Sequence, residues 1–146
     1  MEPNERIGSG YLKMAEEAFG TMDRERKESV RFSISAGYYS IYYSLYAVMQ
    51  KIGIRCDIHG CSLEFMKRFL SEFYSEKYFD LIDRALLVRR NLQYYVDRDV
   101  NKSDLNLIWD NVYDFFVLSR DVFSKLTSVK VDKIRKELQE VFGNEK

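Results

Sequence analysis

The stretch from Arg31 to Ile52, RFSISAGYYSIYYSLYAVMQKI, decides how the rest of the chain is read. At helical spacing Ile34, Tyr38, Ile41, Leu45, Val48 and Ile52 form one apolar stripe, and Phe32, Ala36, Tyr39, Tyr43 and Tyr46 form a second. Between them runs a row of small residues, Ser33, Gly37, Ser40, Ser44 and Ala47, along which another helix backbone can approach closely. A helix with so little charge belongs inside protein and not on a surface. It would be roughly 33 Å long at 1.5 Å per residue, enough to cross a small domain. Its serines and tyrosines make it a poor membrane span, because each hydroxyl needs a partner. The expectation is the buried central helix of a bundle.

Working outward, apolar positions Tyr11, Met14, Ala18, Phe19 and Met22 predict a first helix, which runs into the charged segment DRERKE (23–28), a loop or a solvated turn. After Gly53, a C-terminal stop, the connector IRCDIHGC carries the single histidine and both cysteines. Leu63, Met66, Phe69, Leu70 and Phe73 mark a short amphipathic helix. Tyr78, Ile82, Ala85, Leu92 and Tyr95 mark a fourth, and the turn DRDVNKSD leads to a long fifth helix capped by Ser103. Residues 131–146 form a last, charge-rich amphipathic helix. Short connections make sequential neighbours antiparallel, so the reading is all-α: an up-and-down antiparallel bundle of four to five main helices plus a short C-terminal one. The chain of 146 residues, 46% of them hydrophobic, fits one domain, 1–146, with its core at about 5–130.

Lys+Arg and Asp+Glu both number 23, so no net charge draws the chain to nucleic acid or to an anionic membrane. The N-terminus lacks a basic-then-apolar leader and no run of 18 apolar residues occurs, which makes the cytoplasm the expected location, with no membrane association. Eleven tyrosines and ten phenylalanines leave room for some to face a partner.

Two clusters carry potential chemistry. Cys56, His59 and Cys61 have donor types that suit zinc, but the spacing lacks the second pair of a structural site. The plainer reading is a loop whose cysteines pack as small apolar groups, and no cofactor is expected. The second cluster, in LLVRRNLQYYVDR, holds Arg89, Arg90 and Asn91, with Tyr94 and Tyr95 four and five positions after Arg90. Either an arginine there is held by a carboxylate such as Asp83 and fixes helix packing, or the group binds an anion, with guanidinium on phosphate and Tyr stacking or donating a hydrogen bond.

SAGYYSIYYSLYAVMQKIGI, IHGCSLEFMKRF and LLVRRNLQYYVDRDV together resemble the HEPN domains, in particular the small stand-alone archaeal and bacterial type, over about residues 5–130. The resemblance implies a four- to five-helix bundle that forms a homodimer and works with a minimal nucleotidyltransferase in a two-component, toxin–antitoxin-like system, with RNA or a nucleotide as ligand. Many members are metal-independent endoribonucleases that use an arginine followed four to six residues later by histidine. The matching arginine is Arg90, followed by the polar Asn91, but Tyr95 stands where the histidine belongs. A tyrosine, with an unperturbed pKa near 10 against about 6.5 for histidine, is a poor general base at neutral pH. The implied nuclease motif is therefore degenerate, and the expected protein is a binding module with no confident catalytic residue. The alternative is a weak endoribonuclease using Arg90 with Tyr95 or His59. Asp97 occupies the position of a tyrosine found in toxin pairs, so modification of that tyrosine does not carry over.

Overall fold

The computed structural model describes residues 1–56, 59–94 and 99–143. Among the described residues there is no strand: the chain forms α1 (Glu5–Glu25), α2 (Val30–Ile52), α3 (His59–Phe69), α4 (Glu76–Tyr94), α5 (Lys102–Lys125) and α6 (Ser128–Gly143). The all-α bundle read from the sequence is the fold observed. Three boundaries differ. DRERKE divides, with Asp23 to Glu25 ending α1 and the next three residues turning into α2. His59 opens α3 instead of sitting in the loop before it, and the last helix starts at Ser128.

The central helix is α2. Ser29 caps it, its Oγ accepting the Phe32 N–H, and Gly53 closes it at φ 86°, a left-handed cap that glycine adopts without a Cβ penalty. Every residue of the stripe from Ile34 to Ile52 is buried, and so is every residue of the small row. The second stripe behaves otherwise: Phe32 is 71% and Tyr39 39% exposed, and Ala36, Tyr43 and Tyr46 are half-buried. The two covered sides are thus one apolar stripe and the small row. Tyrosine, with an apolar body and a polar tip, is at home on the side left partly open.

The small row is where α1 lies. The two helices are antiparallel, with Ser40 Oγ donating to the Ala15 carbonyl at 2.8 Å and Ser33 Oγ to the Met22 carbonyl at 2.7 Å. Gly37 sits under Met22, where an added Cβ would lie 2.7 Å from the sulfur. Here the absence of a side chain is what sets the interhelical distance.

The fifth helix runs parallel to α2: Trp109 reaches Ser33 near the start of α2, and Lys51 near its end donates to the Phe123 carbonyl. Asn101, two residues before the expected Ser103, is the cap, because its Oδ1 accepts the Ser103 N–H at 2.8 Å. The fourth helix returns antiparallel, with Arg84 on Asp104 at 2.9 Å and Tyr78 against Phe115. Its buried residues are Leu81, Ala85 and Val88, so its core face is turned slightly from the expected one, and Tyr78 and Ile82 flank it. Helices α1, α2, α4 and α5 therefore alternate in direction, with α2 packed on all three others, while α3 touches α4 and α6 packs at the end of α2. There Arg135 Nη1 donates to the carbonyls of Met1, Ile52 and Gly53 at 2.9, 3.0 and 3.2 Å.

Tyr74 is fully buried just before α4 and donates to Ser119 Oγ at 2.9 Å. Burial pushes its phenol well above the ordinary value, and the hydrogen bond to Ser119 offsets part of this. In the unfolded chain the same group titrates near pH 10. The folded state therefore keeps its proton longer, and that contribution is complete below about pH 10 and lost as pH rises toward the folded pKa. Wild-type unfolding free energy is expected to fall more steeply than that of Tyr74→Phe above pH 10, by up to about 1.4 kcal/mol per pH unit. Urea melts of the two proteins between pH 9 and 11 read the difference, and parallel curves would contradict it.

Candidate functional site

The arginine cluster divides along α4, because successive residues on a helix point about 100° apart. Arg89 turns toward α2 and is half-buried, Arg90 is exposed, Asn91 is half-buried and Tyr94 is 64% exposed. Tyr95 lies outside the described residues. Of the four described residues, Arg89 and Asn91 are half-buried and Arg90 and Tyr94 are exposed, so they do not form one surface.

The partners of Arg89 are rings. The guanidinium carbon lies 4.6 Å from the centroid of Tyr38 and 5.2 Å from that of Tyr39, and Nη2 donates to the Tyr39 hydroxyl at 3.2 Å. The carboxylate expected to hold an arginine here is absent among the described residues: Asp83 makes no ion pair, and Arg84 takes Asp80 and Asp104. A guanidinium suits this place because it is planar and weakly hydrated, so it lies on aromatic faces at a smaller desolvation cost than an ammonium. One of its donors, Nε, is buried and has no hydrogen-bond partner. A buried charged N–H without an acceptor is costly, which makes this atom the feature of the corner that an incoming anion oxygen would satisfy.

From this corner tyrosine rings run along α2, from buried Tyr38 out to its partly open side. Tyr38 stacks on Tyr42 at 6.3 Å and Tyr39 on Tyr43 at 5.9 Å, while Tyr42 meets Tyr46 at 4.7 Å. Tyr11 of α1 lies against both Tyr43 and Tyr46. At the far end Tyr46 donates to the Cys56 carbonyl at 3.1 Å.

Cys56 and Cys61 are joined in a disulfide, with Cα atoms 5.7 Å apart. This corrects the picture of two cysteines packed as small apolar groups, and it commits both sulfurs that the zinc alternative needed. His59, third of that set, is the first residue of α3, and no cluster of metal-binding side chains occurs among the described residues. With a sequence separation of five, the bond closes a short loop and is expected to contribute about 2 kcal/mol by restricting the unfolded chain. A Cys56→Ser/Cys61→Ser protein should melt roughly 4–8 °C below the oxidised wild type, and reduced wild type should melt with the variant.

Reading the sequence missed two things here. Tyr38 and Tyr39 are what Arg89 rests on, and the only trace of this in the sequence is a partly open tyrosine stripe opposite an arginine with no spaced carboxylate. The pairing of Cys56 with Cys61 depends on the path of the connector, which residue types do not reveal.

Comparison with protein-family models and with curated proteins finds no match for this chain. What the fold and the site define is a class: an all-α helical bundle with an arginine laid on tyrosines at the junction of α2 and α4. Among the described residues no helix is long and apolar enough to cross a membrane.

Proposed function

We propose that this chain is a HEPN-type binding module that recognises without cutting, and that the Arg89 corner takes the phosphate of single-stranded RNA or of a nucleotide. The observation that carries the reading is the buried, unpartnered Nε of Arg89 beside the partly open ring of Tyr39, with the buried ring of Tyr38 beneath the same guanidinium. An orphan guanidinium donor next to aromatic faces combines a phosphate contact with a stacking platform, the two interactions that bind single strands without reading sequence.

The test is fluorescence anisotropy with a labelled single-stranded RNA, with ATP as competitor. Arg89→Gln is expected to weaken RNA binding at least tenfold, about 1.4 kcal/mol, and Arg90→Gln to weaken it less. Equal affinity for wild type and Arg89→Gln would remove the proposal. The same samples on a gel test the ribonuclease alternative, in which Arg90 acts with Tyr95 or His59. Nothing in the placement of Arg90 favours cleavage, since it is exposed on a helix face apart from Arg89.

The module is proposed to act as a homodimer through the exposed Phe32 near the start of α2, and with a minimal nucleotidyltransferase as its partner. Sedimentation at micromolar concentration and co-purification test these two statements. A cytoplasmic location belongs to the same proposal. The Cys56–Cys61 bond bears on it, because the glutathione pool of a cytoplasm keeps most thiols reduced.

A further inference from the structure

A guanidinium offers its Nε–H and one N–H of Nη2 along a single edge, a fork that matches two oxygens of a phosphate. On Arg89 the two prongs differ in access. The outer one, Nη2, donates to the Tyr39 hydroxyl at 3.2 Å, and Tyr39 is partly open to solvent. The inner one, Nε, is buried and has no hydrogen-bond partner. Tyr38, with its ring centroid 4.6 Å from the same guanidinium, is buried and forms the floor. On the α4 side Ala85, one turn before Arg89, is buried as well. The approach left to Nε is therefore the Tyr39 side, about one side chain wide.

A recess entered from one side suits the end of a chain and not its middle. An internal phosphodiester carries ester links on two of its oxygens, and the strand has to leave it in two directions. A terminal monoester carries one ester link, and at neutral pH it bears a second negative charge that the diester lacks. We infer, on the reading of Arg89 as a phosphate contact, that this corner selects a phosphate monoester, at a strand end or on a mononucleotide, over an internal phosphodiester. One oxygen reaches Nε and a second lies against Nη2. The Tyr39 hydroxyl turns from accepting to donating, so the phenol remains as a third contact. The ester link leads out past the Tyr39 ring, where the terminal base has a partly open face to stack on.

Competition against an internally labelled RNA, read by fluorescence anisotropy on the full chain, tests this. The unlabelled competitors share one sequence and end in a 5′-phosphate, a 3′-phosphate, a 5′-hydroxyl or the methyl ester of the 5′-phosphate. One of the two phosphorylated strands is expected to compete about tenfold more strongly than the hydroxyl and methyl ester strands, and which one does so names the end. AMP carries the monoester without a strand, so competition by AMP equal to that of the phosphorylated strand assigns the corner to a mononucleotide. Arg89→Gln, its fold checked by circular dichroism, should make all the strands equal. The comparison within wild type needs no variant. The inference is overturned if the hydroxyl or methyl ester strand competes as strongly as both phosphorylated strands, or if folded Arg89→Gln keeps the preference. Weaker RNA binding by Arg89→Gln with no preference among ends in wild type would overturn this inference alone, whereas no saturable binding of the labelled RNA would remove the phosphate reading with it.

Discussion

Ser33→Ala is expected to lower the unfolding free energy by about 3 kcal/mol, although it removes a single oxygen atom. That hydroxyl joins three helices: from α2 it donates to the Met22 carbonyl of α1 at 2.7 Å and accepts from Trp109 Nε1 of α5 at 2.9 Å. Ser33 is completely buried, so no solvent replaces it. Alanine strands the indole N–H and removes the hydrogen bond from Ser33 to the Met22 carbonyl across the α1–α2 contact, each loss costing about 1–3 kcal/mol. For a chain of this size the midpoint of thermal unfolding should fall roughly 6–12 °C. A double-mutant cycle separates the parts: on a Trp109→Phe background, where no indole is left to strand, Ser33→Ala should cost at least 1 kcal/mol less. Additive losses would mean that the hydrogen bond between Trp109 and Ser33 contributes nothing.

Gly53→Ala is expected to cost a similar amount, about 3 kcal/mol, for a different reason. The residue sits at φ 86°, where a side chain costs about 1–2 kcal/mol. A Cβ would also lie 2.7 Å from the Met1 carbonyl oxygen and against Arg135 Nη1. Arg135 would have to withdraw from the three carbonyls it gathers, freeing the N-terminus and α6 together. Asparagine tolerates the left-handed region better than alanine, so Gly53→Asn should recover only the dihedral part of the loss. On an Arg135→Ala background the penalty should shrink toward that same dihedral part. Urea melts of wild type, the three single variants and the Gly53→Ala/Arg135→Ala protein measure this, and an unchanged penalty on the Arg135→Ala background would contradict the account.

How far the fold can be read from residues depends on which kind of residue sets it. Ile34, Ile41, Leu45, Val48 and Ile52 have one favourable environment, so their spacing by itself marks a buried face. The small row was legible for the complementary reason, since nothing larger fits where α1 crosses Ser33, Gly37 and Ser40. Tyr39, Tyr43 and Tyr46 have two acceptable environments, and periodicity alone could not decide that their side stays partly open. Arg89 and Arg90 present the same difficulty: both are arginines on one helix, and which of them meets α2 depends on a rotational phase set by Leu81, Ala85 and Val88. Arg89 stands one turn from both Ala85 and Leu92, which placed it at the margin of the core. Cys56 and Cys61 were the least legible, because whether two thiols meet is a matter of chain path and not of composition.

The indole of Trp109, the only one in the chain, is fixed where three helices converge and lies beneath the Arg26 guanidinium at 4.7 Å. The molecule therefore carries its own optical gauge. Excitation at the red edge of tyrosine absorption isolates a single emitter whose wavelength and quenching report the separation of α1 from α2 and α5. Opening at the far end, around the cystine, would leave that light unchanged, so the two ends of the bundle can be watched independently without adding a label.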